Sequence, residues 1–129
     1  MTISSSPILR YISLAFATIF VGFGINAMLN PTSALTFFEL SYPIPPDQQK
    51  LVNALLLVYG ARDIFMGAAI YISALYGNTT ALGCMVLAAG LTAGADGWAC
   101  KYIVGAGEMN HWGYAPILLV LGAVMAAGV

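Results

Sequence analysis

Charge is what this chain has least of. Its 129 residues hold four Lys plus Arg and five Asp plus Glu, so 7% are charged, where a soluble domain carries roughly 25%. An ordinary soluble domain is thereby excluded. Four basic side chains also exclude a nucleic-acid partner, because phosphate contacts need a basic face. Disorder is excluded as well, since disordered chains combine high charge with few aromatics and 12% of this chain is aromatic. Cysteine is scarce: Cys84 and Cys100 fall on one predicted helix, about 24 Å apart at 1.5 Å per residue, too far to bridge within it. With one histidine, His111, and no Cys-x-x-Cys pair, neither a zinc nor a haem motif is present. No metal and no cofactor are expected.

What the chain has instead is apolar length. Sixty per cent of it is hydrophobic and its mean hydropathy is +0.89. A membrane crossing needs about 20 apolar residues, and runs at 8–29, 50–76, 80–104 and 112–129 read as four such spans. Pro7 opens the first and Asn30-Pro31 closes it, because a residue before proline leaves helical geometry. Arg10 ahead of an apolar run also suits a signal peptide, but the run exceeds the usual h-region of about 7 to 15 residues and no small-x-small cleavage site follows. The connector 30–49 is broken by Thr32, Ser33, Glu39, Pro43, Pro45, Pro46 and Asp47. Within it, 31–40 suits either a solvated loop or a short interfacial helix with Leu35, Phe37 and Phe38 against lipid.

Turn signals at Gly77-Asn78-Thr79 and Gly105-Ala-Gly107 join the later spans. Short joints require antiparallel neighbours. The expected fold is all-α: one transmembrane domain over 1–129, an up-down four-helix bundle, multi-pass in a lipid bilayer with both termini on one side. Gly90-Leu-Thr-Ala-Gly94 permits close helix approach, inside the bundle or in a homo-oligomer. Arg10 on the termini side opposes Lys50 and Lys101 on the loop side, so the positive-inside count does not set the orientation.

Against that apolar background the few charges carry the information. Arg62 and Asp63 lie about 18 to 20 Å along the second span from Lys50 at 1.5 Å per residue, near mid-membrane. There each costs about 2.5 to 3.5 kcal/mol on the insertion scale, so both should face the bundle interior or water. Neighbours on a helix point about 100° apart, and each therefore needs a further partner. Asp96 on the third span is the obvious one. Helical spacing places Tyr59 and Met66 on the face of Asp63, with Asn53 a third of a turn away. Thr92 accompanies Asp96, and Asn26 and Asn30 form a stripe with Gly22 on the first span.

By depth these polar groups crowd the loop-side half, with Lys101, Glu108 and His111 at its rim, while the termini-side half reads as almost wholly apolar. A permeating ion needs polar groups across the full thickness. A half-depth set fits a lipophilic small molecule with one polar end. The plainer alternative is a structural ion pair that sets helix register. His111 beside Trp112 reads as an interfacial residue, and so do Trp98, Tyr102 and Tyr114. Glu108-Met-Asn-His111 has the Glu-x-x-His spacing of di-metal bundles, but such sites need several contributions and this chain has one.

The helix Gly60-Ala-Arg-Asp-Ile-Phe-Met-Gly67, followed by Gly94-Ala-Asp-Gly97 and Asn110-His111, resembles a widespread family of small four-span membrane proteins known chiefly as a domain of unknown function. Some fungal members of that family belong to natural-product pathways. The resemblance implies work on terpenoid or polyketide intermediates, in the endoplasmic reticulum membrane of a eukaryotic host. The matching positions are Arg62, Asp63, Asp96 and His111.

Two functional expectations follow. The first is a cofactor-independent enzyme, an isomerase, cyclase or epoxide-opening hydrolase, with Asp63 and Asp96 as acid and base, Arg62 holding a carboxylate or oxyanion, and Tyr59 orienting the substrate oxygen. Asn26, Asn53, Met66, Thr92 and His111 would line the substrate. The second is a non-enzymatic lipophile carrier or a membrane scaffold. Small four-span exporters, which a carrier would resemble, usually place an acid in span one, where this chain has Asn26.

Overall fold

Proline marks most of the helix starts. Pro7, Pro31, Pro46 and Pro116 each sit in a first helical turn, where the missing N–H would have no partner in any case. The computed structural model describes residues 2–129. A 3-10 turn, Ile3–Ser5, precedes α1 (Pro7–Leu29), α2 (Pro31–Thr36) and α3 (Pro46–Tyr76). The second half holds α4 (Thr79–Ala99), which runs on as a π-helical turn over Cys100–Val104, then α5 (Met109–Trp112) and α6 (Ala115–Ala127). Among the described residues there is no strand. Four stretches are long and apolar enough to cross a membrane: Pro7–Leu29, Pro46–Tyr76, Thr79–Val104 and Met109–Ala127. The molecule is an all-α four-helix bundle, consistent with a multi-pass membrane protein.

Two boundaries differ from the sequence reading. Helix α3 starts at Pro46 rather than near Lys50, because Pro45 is extended and Pro46 suits the first turn. The fourth span is broken between α5 and α6 at Gly113 and Tyr114.

In lipid, apolar burial hardly drives helices together, so close backbone approach must. The structure uses glycine for this in each half. A Cβ built on Gly24 would lie 2.5 Å from the Gly60 carbonyl oxygen, and one on Gly67 would lie 2.6 Å from that of Ala17, which ties α1 to α3. Across α4 and α6, a Cβ on Gly83 would lie 2.8 Å from the Gly122 oxygen. The α3/α4 contact is far sparser than either pairing. Side chains from all four long helices, among them Phe20, Ile70, Val86, Leu118 and Met125, then fill the core between the pairs. The Gly90 and Gly94 reading is half corrected. Gly90 packs on Leu118, but the Cβ position of Gly94 meets nothing.

The connector also departs from expectation. Asn30 Oδ1 accepts the Ser33 N–H at 3.1 Å and so caps α2. Its Leu35 is buried with Ala27 and Leu56 instead of facing lipid. Phe38 turns inward as well, and Phe37 stacks on Phe23 at 5.1 Å between centroids. At the other end of the bundle the Ser4 N–H donates to the Val129 carbonyl at 2.6 Å, which brings both ends of the described chain together.

Candidate functional site

Arg62 reaches out of the first half toward the second. Its Nη1 and Nη2 donate to Asp96 Oδ1 and Oδ2 at 2.9 and 2.8 Å, a two-point fork across the α3/α4 seam. The same guanidinium bends back to its neighbour, where Nε and Nη2 both donate to Asp63 Oδ1 at 3.3 and 3.1 Å. One cation thus serves two acids, and Asp63, 2% exposed, is the more deeply buried. Arg62 Cζ stands 4.2 Å from the centroid of the Tyr59 ring, a cation–π contact worth about 0.5 to 2 kcal/mol. Helical spacing alone predicts that Arg62 and Asp63 diverge. Arg62 instead has the length to curl back while its fork faces Asp96.

Beside this cluster lies an aromatic pocket. Tyr59 belongs to its wall, with Phe38, Tyr114 and His111. Phe38 packs edge-on to Tyr59 at 5.4 Å and tilted on the His111 imidazole at 4.8 Å between centroids. Asn26 and Asn110 add two amides at the margin. His111 is 3% exposed, and neither of its ring nitrogens has a hydrogen-bond partner among the described residues. The nearby Phe37 carbonyl accepts from Asn110 Nδ2 at 3.1 Å and is not in hydrogen-bonding geometry with the imidazole. The space between these side chains is about 20 Å³, room for about one water molecule.

The Gly94-Ala-Asp-Gly97 segment explains how His111 comes to be inside. Trp112 Nε1 donates to the Gly94 carbonyl at 3.0 Å, and the indole occupies the place where a Gly97 Cβ would stand. Lys101 Nζ lies 5.3 Å from the centroid of the same ring. Trp112 is pinned on α4, and its neighbour His111 is turned into the bundle.

The residues singled out in the sequence therefore separate into three groups. Tyr59, Arg62, Asp63 and Asp96 form the charged cluster. Asn26 and His111 meet Tyr59 in the pocket, where His111 is buried. Asn53, Met66 and Thr92, expected beside a substrate, do not line this pocket. Asn53 is exposed and accepts the Tyr42 hydroxyl at 2.9 Å, Met66 packs on the core, and Thr92 donates to the Ala88 carbonyl of its own helix at 2.9 Å.

Sequence reasoning missed Phe23, Phe37, Phe38, Asn110 and Tyr114. Trp98 and Tyr102 remain exposed belt residues, stacked at 5.3 Å, whereas Tyr114 packs between Phe16, Phe20 and the pocket. The available signal was Asn110 beside His111, two polar groups too many for a bare membrane boundary. The termini-side half is also less apolar than expected. Thr18 and Tyr71 hydrogen-bond across α1 and α3, and a polar cleft opens beside Arg10. Among the described residues no group of three or more His, Cys, Asp or Glu side chains is arranged to hold a metal.

Neither a curated protein nor a solved structure matches the chain. A family model does match, over residues 17–125, and those residues contain the fork, the pocket and both glycine crossings. The chain belongs to the family described as Domain of unknown function (DUF4267).

Proposed function

We propose that the chain is a membrane enzyme that performs acid–base chemistry, without a cofactor, on a small lipophilic molecule in the aromatic pocket. The observation that carries this reading is His111. A buried imidazole with both nitrogens unpartnered is uncommon, because buried polar groups are normally satisfied. A neutral imidazole offers one donor and one acceptor, so it can remove a proton at one position of a substrate and return one at another. Such an isomerisation or cyclisation has no net change in redox state and needs no co-reactant. Tyr59 and Tyr114 supply phenols to hold a substrate oxygen, and the phenylalanines supply apolar walls.

The carboxylates take a different role from the one the sequence suggests. We assign Asp63 and Asp96 to the frame that fixes Arg62, and through it the Tyr59 ring, since the fork occupies both oxygens of Asp96. The space of about 20 Å³ is far below the roughly 300 Å³ of a typical ligand site, so a substrate enters by displacing a wall. The segment carrying Phe37 and Phe38 is that wall. It is held by the bond from Asn110 to the Phe37 carbonyl and ends at Glu39, whose backbone is left-handed at φ 55°. By the family resemblance we place the substrate among terpenoid or polyketide intermediates, and the protein of a eukaryotic host in the endoplasmic reticulum membrane. The carrier reading draws support from the sparse seam between two tightly packed helix pairs, since rocking of one bundle on another is how carriers alternate access.

The test is turnover of a panel of lipophilic carbonyl, polyene and epoxide compounds by the purified chain in D2O, followed by mass spectrometry. Conversion or deuterium incorporation is expected, falling about 100-fold or more in His111→Gln, the scale for losing a positioned acid or base. Equal rates in His111→Gln would sink this assignment. A larger loss in Asp63→Asn or Asp96→Asn would return the chemistry to the carboxylates, and saturable binding with no conversion would favour the carrier.

A further inference from the structure

The end of the bundle opposite the aromatic pocket holds a larger cleft, about 600 Å³, within the size range of ligand sites, roughly 300 to 1,000 Å³. Arg10 stands on its wall, and among the described residues it is the only charged side chain that lines the cleft. No carboxylate among the described residues lies within ion-pair distance of it, since every ion pair found belongs to Arg62. Hydroxyls share the lining with it: Ser4, Ser5, Ser6, Ser73, Thr79 and Tyr11. Leu14, Leu82 and Met125 provide an apolar floor.

The helix ends do not set the sign of the field. Helices α1 and α4 begin here and α3 and α6 finish here, so two positive and two negative dipole ends largely cancel. Among the described side chains lining the cleft Arg10 is the one that carries charge, and it favours an anion rich in hydrogen-bond acceptors. Position narrows the class further. All four spans end at this level, which is where a bilayer places its headgroups, and Tyr11 and Tyr76 are exposed there as interfacial aromatics are.

We propose that this cleft binds the phosphate of an anionic phospholipid headgroup, with Arg10 as counter-ion, the hydroxyls as donors and the apolar floor beneath the glycerol carbons. The site is separate from the aromatic pocket and does not rest on the activity proposed above.

Thermal unfolding of the full chain in neutral detergent tests it, with three probes titrated in: dioctanoyl phosphatidylglycerol, dioctanoyl phosphatidylcholine and inorganic phosphate. A saturable rise in Tm is expected with the phosphatidylglycerol and not with the phosphatidylcholine. Arg10→Gln should weaken the apparent Kd about tenfold, as expected for loss of a charge-assisted hydrogen bond. Lys50→Gln and Lys101→Gln, which remove equal charge at the other end, should leave it unchanged. Ser73→Leu keeps the charge and narrows the cleft, and it should weaken binding too. An unchanged phosphatidylglycerol response in both Arg10→Gln and Ser73→Leu, an equal response to phosphatidylcholine, or an equal loss in Lys50→Gln would overturn the site. An Arg10-dependent rise with inorganic phosphate alone would support the anion site and overturn its assignment to lipid.

Discussion

The two halves of the molecule, α1 to α3 and α4 to α6, are each held together by backbone and face each other through side chains. In the first half Gly24, Gly60 and Gly67 bring α1 onto α3, and in the second Gly83 and Gly122 bring α4 onto α6. Neither half contains the whole of the charged cluster or of the pocket. Arg62, Tyr59 and Phe38 come from the first, and Asp96, His111 and Tyr114 from the second. Cohesion within a half is thus separated from the polar contacts between halves, and a membrane bundle can carry a charged cluster because its tight packing lies elsewhere.

That division predicts where substitutions are most costly. The largest effect should come from Arg62→Ala, which strands Asp63 and Asp96 at a cost of about 3 to 5 kcal/mol. Because the guanidinium serves two acids, adding Asp96→Ala should recover only part of the loss, and adding Asp63→Asn as well should recover more. Equilibrium unfolding in mixed micelles measures all three, and full recovery in the Arg62→Ala/Asp96→Ala double would show that Asp63 does not belong to the cluster.

Next in size is His111→Ala. It should cut turnover about 100-fold and lower the Tm only by the packing lost against Phe38, since an imidazole without partners gives up no hydrogen bond when removed. Within the second half, Gly83→Ala or Gly122→Ala should cost about 1 to 3 kcal/mol by overpacking, while Gly94→Ala should fall inside about 0.5 kcal/mol. Similar costs at Gly83 and Gly94 would break the claim that glycine holds each half. The smallest effect belongs to Asn110→Ala, about 1 kcal/mol for one neutral hydrogen bond, together with faster hydrogen exchange at Phe37 and Phe38. That exchange reports release of the wall between the halves.

The sequence made some of this legible for identifiable reasons. Hydropathy located the four spans, and the scarcity of charge singled out Arg62, Asp63 and Asp96, because an ionised group in lipid has few places to go. Direction was harder to read. In a soluble helix the polar face identifies the outside, but in lipid both faces are apolar, and Leu35, Phe38 and Tyr114 look alike whether they meet acyl chains or protein. Asn53 and Thr92 lie outside the pocket for a related reason. A short polar side chain can satisfy itself close by, as Asn53 does on Tyr42 and Thr92 on its own helix, and then says nothing about a cavity. His111 was legible as a residue and not as a direction, since Trp112 sets its rotation through contacts with Gly94 and Gly97 that only the tertiary structure supplies.

The short turn at Gly77 and Asn78 is the covalent joint between the two halves. Each half is a helical hairpin whose partners emerge from the ribosome in succession and whose crossing needs nothing from the other half. The gene is therefore divisible: two transcripts, one ending at residue 77 and the other beginning at residue 78 behind a start codon, should insert as separate hairpins and find each other through the Arg62–Asp96 fork. Reconstitution of the bundle from such fragments, and its loss when Asp96→Ala is carried by one of them, would make the fork an assembly code as well as part of a site.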